Sequence, residues 1–256
     1  MRFARFKYGN RIAYGILQDG VVEEISSTPF LPYETTGVTY ELEDVRLLSP
    51  CVPSKVIGIA LNYKDHVQEM GKPAPDYPIF FYKPSTAVVG PGDRVVRPPG
   101  CKQLDYEGEL AVVVGSVARR VSLGRHEEVV LGYTCGIDAT ARDLQKIDSQ
   151  WGRAKGFDTS APLGPWIETD IDPSNLELTT SLNGEVRQSS TTSGMIFNVS
   201  ALVTFVSAYV TLLPGDVILT GTPSGIGPME PGDSLSVEIE GIGVLDVTVA
   251  DSPGPR

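Results

Sequence analysis

Short apolar runs bounded by glycine, proline and asparagine recur along this chain. Such runs predict β-strands, because strands are short and extended while the turns between them need residues that tolerate special backbone angles. Apolar residues at helical spacing are clearest in residues 199–209, where they predict a helix. The pattern therefore predicts a mainly β fold with some α.

The first fifty residues predict a small β meander, with strands at residues 3–7, 11–17 and 21–25. A boundary near Ser49-Pro50 divides the chain into this N-terminal β unit, residues 1–50, and a larger unit, residues 51–256. Pro-Gly-Asp triplets predict turns, because Pro and Gly suit the second and third positions of a turn. They lie at residues 91–93, 214–216 and 231–233. In the larger unit we expect strands at residues 56–59, 79–82, 110–114, 129–136, 217–220, 235–239 and 243–249.

Composition limits the partners of the protein. The 256 residues are 41% hydrophobic and 21% charged, which is an ordinary globular composition. A net charge of -11 repels nucleic acid and anionic membranes, so we expect neither as a partner. Neither a membrane span nor a signal peptide is indicated, and a cytoplasmic protein is expected. An anionic substrate would need local positive charge from a metal ion or from a few lysines and arginines.

Scarce cysteine and histidine limit the type of metal site. The cysteines, Cys51, Cys101 and Cys135, are widely spaced and are expected to be inert thiols, not a disulfide framework or a thiolate zinc site. The two histidines form no zinc-binding motif, which disfavours zinc, copper and iron sites built on nitrogen and sulfur. Oxygen ligands would instead favour Mg²⁺ or Mn²⁺.

Two glutamates, Glu107 and Glu109, flank a single glycine where a buried strand begins. On a strand they would project from the same face, about 6–7 Å apart at the backbone, and such close charges repel unless a cation lies between them. Gly108 is expected to leave room for a ligand near the backbone. Spacing alone leaves the third ligand open between Asp138 and Asp143. A glycosidase pair that works without metal is an alternative interpretation of the two glutamates.

A second constellation is His66 with Glu69, which follows an apolar strand. Residues three apart share a helix face, so the carboxylate can orient the imidazole and raise its basicity. This pair is a candidate general base or water activator.

With these residues, seven ordered motifs make the chain resemble the fumarylacetoacetate hydrolase family from about residue 55 to residue 249. Each motif alone is weak, but their order is specific. The motifs are Gly58-Ile59-Ala60-Leu61-Asn62-Tyr63 with His66 and Glu69; Phe81-Tyr82-Lys83-Pro84; Asp105-Tyr106-Glu107-Gly108-Glu109-Leu110-Ala111; Gly132-Tyr133-Thr134 with residues 138–145; Gln150-Trp151 with residues 154–159; Gly164-Pro165; and Leu213-Pro214-Gly215-Asp216 with residues 220–225.

The resemblance implies mixed β-sheets rolled into a flattened barrel, with the active site at one mouth, usually in a homodimer. It selects Asp138 as the third metal ligand beside Glu107 and Glu109, with Mg²⁺ or Mn²⁺ as cofactor. It makes His66 and Glu69 a catalytic dyad on a mobile lid. It assigns the substrate pocket to Arg142, Gln145, Lys155 and Thr222, with Lys155 also catalytic, and it leaves Lys83, otherwise an ordinary surface lysine, without an assigned role.

The expected substrate is a small anionic 2-oxo or enol acid, which the metal would convert to a stabilised enolate. The first hypothesis is C–C bond hydrolysis of an acylpyruvate-like substrate. The alternatives are isomerisation of a 2-hydroxy-diene dicarboxylate of aromatic catabolism, decarboxylation of oxaloacetate, and a metal-binding scaffold without catalysis. Many family members carry an arginine where this chain has Leu61, which suggests a different or less charged substrate.

Overall fold

The computed structural model describes residues 1–252, and it confirms a mainly β chain with a few short helices. The helices are α1 (Lys64–Glu69), α2 (Arg142–Ile147), α3 (Gly152–Lys155) and α4 (Val199–Tyr209). The strands are β1 (Arg2–Tyr8), β2 (Arg11–Gln18), β3 (Val21–Ile25), β4 (Thr35–Glu41), β5 (Arg46–Leu48), β6 (Lys55–Ala60), β7 (Ile79–Pro84), β8 (Val88–Val89), β9 (Arg94–Arg97), β10 (Leu104–Tyr106), β11 (Gly108–Val114), β12 (Val130–Ile137), β13 (Thr140–Ala141), β14 (Ala161–Glu168), β15 (Glu177–Leu182), β16 (Glu185–Thr191), β17 (Val217–Leu219), β18 (Gly227–Pro228), β19 (Ser234–Ile239) and β20 (Gly243–Asp251).

A twelve-stranded mixed sheet forms the centre of the molecule. Its strand order is β4-β3-β2-β1-β14-β12-β11-β17-β6-β7, with β5 paired to β1 and β8 paired to β14. The N-terminal strands continue this sheet, because β1 pairs with β14. Most neighbours are antiparallel, while β17 runs parallel to β6.

A five-stranded sheet, β16-β15-β19-β20-β9, packs on one face of the central sheet. Leu110 and Val112 of β11 belong to the apolar cluster between the two sheets, whereas Ala111 and Val113 belong to a second cluster on the opposite face. This alternation follows from the two-residue period of a strand. Within residues 1–252 neither of these sheets closes on itself, so the expected flattened barrel is an open arrangement of packed sheets.

The local predictions are largely confirmed. The meander strands and helix α4 lie where the sequence placed them, and the glycines of the three Pro-Gly-Asp turns, Gly92, Gly215 and Gly232, have positive φ. The polar stretch at 140–155 contains α2 and α3, and strands β9, β14, β15 and β16 were not predicted. The three cysteines are buried and free, as expected. Among the described residues, no helix is both long and apolar enough to cross a membrane.

Candidate active site

The three carboxylates predicted as metal ligands meet where β11 begins and β12 ends. Glu107 and Glu109 flank the first residue of β11, and Asp138 follows the last residue of β12. These ends adjoin because the strands are antiparallel, and Asp138 N donates to Glu107 O at 2.9 Å. We call the three residues the acidic triad. Each is at most 5% exposed, and one oxygen from each lies within 4.8 Å of the others.

The charges of the acidic triad are unequally compensated. Burial raises the pKa of Glu109 well above its usual range, and the negative charges of Asp138 and Glu107 add to the effect. Burial also acts to raise the pKa of Glu107, but the positive charges of Lys155 and Arg142 outweigh it and hold that pKa below its ordinary value. Glu109 is therefore the member that most needs a further positive charge.

The donor set fits a divalent cation. Three carboxylates are hard oxygen ligands of the kind that Mg²⁺ and Mn²⁺ prefer, and neither histidine nor cysteine belongs to this group in residues 1–252. Glu109 Oε2 accepts from Gly221 N at 2.7 Å, and within the described residues Glu109 forms no ion pair with a lysine or arginine. A buried carboxylate without a paired cation is costly, and a shared metal ion would remove that cost.

Lys155, at the end of α3, is the cation that contacts two members of the acidic triad. Its Nζ donates to Glu107 Oε2 at 2.8 Å and to Asp138 Oδ2 at 2.6 Å. The side chain is almost completely buried, and the ammonium lies 5.0 Å from the centre of the Phe81 ring. The predicted pocket lysine is thus within the carboxylate cluster itself.

Arg142 begins α2 and is buried between two acidic side chains. Its Nε donates to Asp105 Oδ2 at 2.8 Å, one Nη contacts Glu107 Oε1, and the other donates to Gln145 Oε1 at 2.7 Å. Asp143 instead accepts from backbone N–H groups of the loop before β10, so it is not the alternative third ligand. Sequence reasoning gave Asp105 no role, although it belongs to the same motif as the glutamates.

The predicted dyad is formed on α1. His66 Nδ1 lies 2.9 Å from Glu69 Oε2, with His66 5% exposed and the glutamate side chain 34% exposed. The helix is fastened to the loop after β17, because Asp65 Oδ2 accepts from Ser224 Oγ at 2.8 Å and Glu69 Oε1 accepts from Gly225 N at 3.0 Å. The mobility of this lid stays a prediction.

The expectation that Gly108 leaves room for a ligand is wrong. Gly108 faces the five-stranded sheet, and a Cβ added to it would lie 2.1 Å from Thr180 Oγ1. Its backbone is also held there, since Gly108 N donates to Gln188 Oε1 at 3.0 Å and Thr222 Oγ1 donates to Gly108 O at 2.9 Å. The missing side chain therefore allows sheet packing, while the two glutamates project from the other face.

Thr222 is predicted to bind substrate. Its hydroxyl donates its only proton to Gly108 O and accepts from Gln188 Nε2 at 2.7 Å. The sequence offered no signal for Gln188, which comes from β16 in an unpredicted hairpin. Both residues hold the strand end that carries the glutamates.

A cavity of about 350 Å³ opens beside the acidic triad. Leu61 contributes to its apolar wall and has φ of 55°, a left-handed backbone that is costly for a branched side chain. The cavity brings together six of the nine predicted site residues, which are His66, Glu107, Arg142, Gln145, Lys155 and Thr222.

Comparison with known proteins agrees with these motifs. Residues 55–250 match the fumarylacetoacetate (FAA) hydrolase C-terminal family, and residues 1–50 match the Rv2993c-like N-terminal family. The crystal structure of 5-carboxymethyl-2-hydroxymuconate delta-isomerase from Mycobacterium smegmatis is 47% identical, with a TM-score of 0.93, and the match covers 98% of this chain and 100% of that one.

Two further proteins give similar results. The structure of 2-hydroxyhepta-2,4-diene-1,7-dioate isomerase from Mycobacterium marinum is 44% identical, with a TM-score of 0.92, and both chains are covered completely. Mitochondrial oxaloacetate tautomerase FAHD2A from Bos taurus is 42% identical over 215 residues, which are 79% of this chain and 68% of that protein. The chain therefore belongs to the fumarylacetoacetate hydrolase family, whose members are enzymes.

Proposed function

We propose that the protein is a divalent-metal-dependent enzyme that converts a small 2-oxo acid to its enolate or enol in the cavity beside the acidic triad. The observation that carries this proposal is the buried triad, whose oxygens converge within 4.8 Å next to a cavity lined by cationic side chains. Glu107, Glu109 and Asp138 would hold Mg²⁺ or Mn²⁺, which when bound polarises the carbonyl of a 2-oxo acid.

Positive side chains support an anionic substrate. Lys155 has three N–H donors, of which two are used on carboxylates, so one is left for a ligand in the cavity. Arg142 lines the same cavity, but its charge is already matched by Asp105 and Glu107. Lys155 is therefore the better candidate to stabilise the negative oxygen of an enolate.

The dyad supplies the proton-transfer group. Because Glu69 contacts His66 Nδ1, the second ring nitrogen, Nε2, is available to exchange a proton with a substrate or a water molecule in the cavity. The contact with the Glu69 carboxylate fixes the orientation of the imidazole ring.

Two reaction branches pass through the enolate of a 2-oxo acid, formed by loss of a proton in the first and by loss of an acyl group to water in the second. Proton return to a different atom gives isomerisation or tautomerisation, and the names of the relatives from Mycobacterium smegmatis, Mycobacterium marinum and Bos taurus support this branch. C–C hydrolysis of an acylpyruvate-like substrate is the second candidate, and it is supported by a dyad that could activate water. Decarboxylation of oxaloacetate would release CO2 and leave the enolate of pyruvate, which Lys155 could stabilise in the same way.

The test is turnover of oxaloacetate, acetylpyruvate and a hydroxymuconate-type diene, each with Mg²⁺ and with EDTA. We expect EDTA to abolish turnover, and we expect Glu109→Gln and His66→Ala to lose it. Glu24→Gln is the matched control, because Glu24 is a buried glutamate outside the site, paired with Arg11.

The outcomes separate the hypotheses. Turnover that survives EDTA would contradict the metal proposal. Mg²⁺ binding without any turnover would favour a metal-binding scaffold. The product formed from each substrate distinguishes the isomerase, hydrolase and decarboxylase branches.

Two expectations stay predictions. The homodimer is tested by light scattering of the purified protein, and the cytoplasmic location by fractionation of cells that express it.

A further inference from the structure

Lys83, which the family resemblance left without a role, is completely buried on β7. Its Nζ lies 2.7 Å from Asp138 Oδ1. The other oxygen of that carboxylate, Oδ2, accepts from Lys155 Nζ at 2.6 Å. Each oxygen of Asp138 is thus paired with a different lysine.

The two lysines differ in what else surrounds them. Lys83 Nζ donates to Ser160 O at 2.9 Å, Ser160 Oγ at 3.1 Å and Ala139 O at 3.3 Å, and also to Lys155 O. An ammonium has three N–H donors, so these four acceptors share them and leave none free, and Asp138 Oδ1, which has no hydrogen-bond partner, meets Lys83 as an ion pair. Lys83 does not line the cavity, whereas Lys155 does. Lys83 therefore has neither a donor nor a path to touch a substrate.

The partners of Lys83 are parts of the site. They include the carboxylate of Asp138, the carbonyl of the next residue, Ala139, and the carbonyl of Lys155. Ser160 completes the arrangement, since its hydroxyl also donates to Lys155 O at 2.8 Å. One buried ammonium thereby ties a metal-ligand candidate to the end of the helix that carries the candidate catalytic lysine.

We propose that Lys83 is a positioning residue that fixes Asp138 relative to the end of α3, so that Asp138 Oδ2 faces Lys155 and the other two carboxylates of the acidic triad. The inference rests on the proposed metal site. Groups that contact a metal ligand from outside typically change metal affinity by about tenfold to a hundredfold when removed. We expect a change of that size for Lys83.

A matched control lies beside it in the sheet. Lys55 pairs with buried Asp216, as Lys83 pairs with Asp138. In the β6–β7 ladder Lys55 is opposite Pro84 and Val56 is opposite Lys83, so the two lysines project from opposite faces. Removal of Lys55 leaves buried Asp216 without its ammonium, and removal of Lys83 leaves buried Asp138 paired with Lys155 alone, but only Lys83 is next to the acidic triad.

The experiment measures Mn²⁺ dissociation constants by electron paramagnetic resonance for the wild type, Lys83→Met and Lys55→Met, at one pH and ionic strength. We expect Lys83→Met to bind Mn²⁺ about tenfold to a hundredfold more weakly, and Lys55→Met to bind like the wild type. Ser160→Ala, which removes one acceptor of Lys83, is expected to show a smaller loss in the same direction. It keeps the test valid if Lys83→Met does not fold.

Unchanged or tighter Mn²⁺ binding in the folded Lys83 and Ser160 variants would overturn the positioning role while leaving the metal site intact. Tighter binding would mean that Lys83 acts only as a repelling charge. Equal weakening in Lys55→Met would also overturn it, because the loss would then reflect general destabilisation. A wild type that binds no Mn²⁺ would overturn the proposed function itself, and this inference with it.

Discussion

Replacing Gly108 by alanine tests whether its missing side chain allows the two sheets to pack or leaves room for a ligand. The added Cβ would lie 2.1 Å from Thr180 Oγ1, about 1.4 Å inside the ~3.5 Å separation of unstrained nonbonded atoms. Both Gly108 and Thr180 are buried in a close-packed interior that can move little. We expect Gly108→Ala to lower the free energy of unfolding by about 1–3 kcal/mol, the usual cost of overpacking.

A second substitution should relieve that cost. Thr180 Oγ1 is buried without a hydrogen-bond partner, so Thr180→Ala leaves no partner unpaired. Alone it should cost about 1 kcal/mol through the lost methyl group. In the double variant the 2.1 Å contact disappears and the next contacts, with Gln188 and Val237, are 3.2 Å. The two changes should therefore be non-additive by about 1 kcal/mol or more in the stabilising direction.

Urea unfolding with EDTA present measures this coupling without a contribution from bound metal. A parallel Mn²⁺ titration should show weaker binding in Gly108→Ala, because the strained backbone carries Glu107 and Glu109, and recovery in the double variant. Strictly additive stabilities would refute the packing argument. A stable Gly108→Ala that loses only ligand binding would instead restore the idea that the glycine makes room for a ligand.

Three further perturbations have expected signs. Glu69→Gln keeps the shape of the dyad but removes the charge beside His66. We expect kcat to fall by less than for His66→Ala, for which the expected loss is about 10²–10⁴-fold, and Mn²⁺ affinity to stay unchanged. A larger fall in kcat would contradict an orienting role. Asp65→Ala removes the acceptor of Ser224, and hydrogen exchange of α1 should speed up; unchanged exchange would show that other contacts hold the helix. Asp216→Ala should lower the free energy of unfolding, measured in urea, by about 3–5 kcal/mol because it leaves Lys55 unpaired. A decrease below about 1 kcal/mol would contradict this reasoning.

Local features of the fold could be predicted from the sequence because their causes are local. Helix α4 follows from apolar residues at helical spacing, and the Pro-Gly-Asp turns follow from the backbone freedom of glycine. Strands β15 and β16 escaped prediction because Thr, Ser and Gln fill much of their sequence, and only the pairing of β15 with β19 and β16 gives β15 an alternating buried face.

The candidate ligands could also be chosen from the sequence, although the choice of Asp138 over Asp143 needed the family motif. The alternation of a strand places Glu107 and Glu109 on one face regardless of what surrounds them. What surrounds Asp138, in contrast, depends on β12 meeting β11 in antiparallel register.

Only the tertiary structure decided the environment of identical residue types. Asp216 and Asp233 end the same Pro-Gly-Asp triplet, yet Asp216 is fully buried and paired with Lys55, while Asp233 accepts from Glu230 N near the surface. Lys83 would be a surface lysine by its type, but the residues that enclose it lie 55 or more positions along the chain. A charge becomes functional through the groups that desolvate and pair it, and those groups are brought together by the sheet, not by the sequence around it.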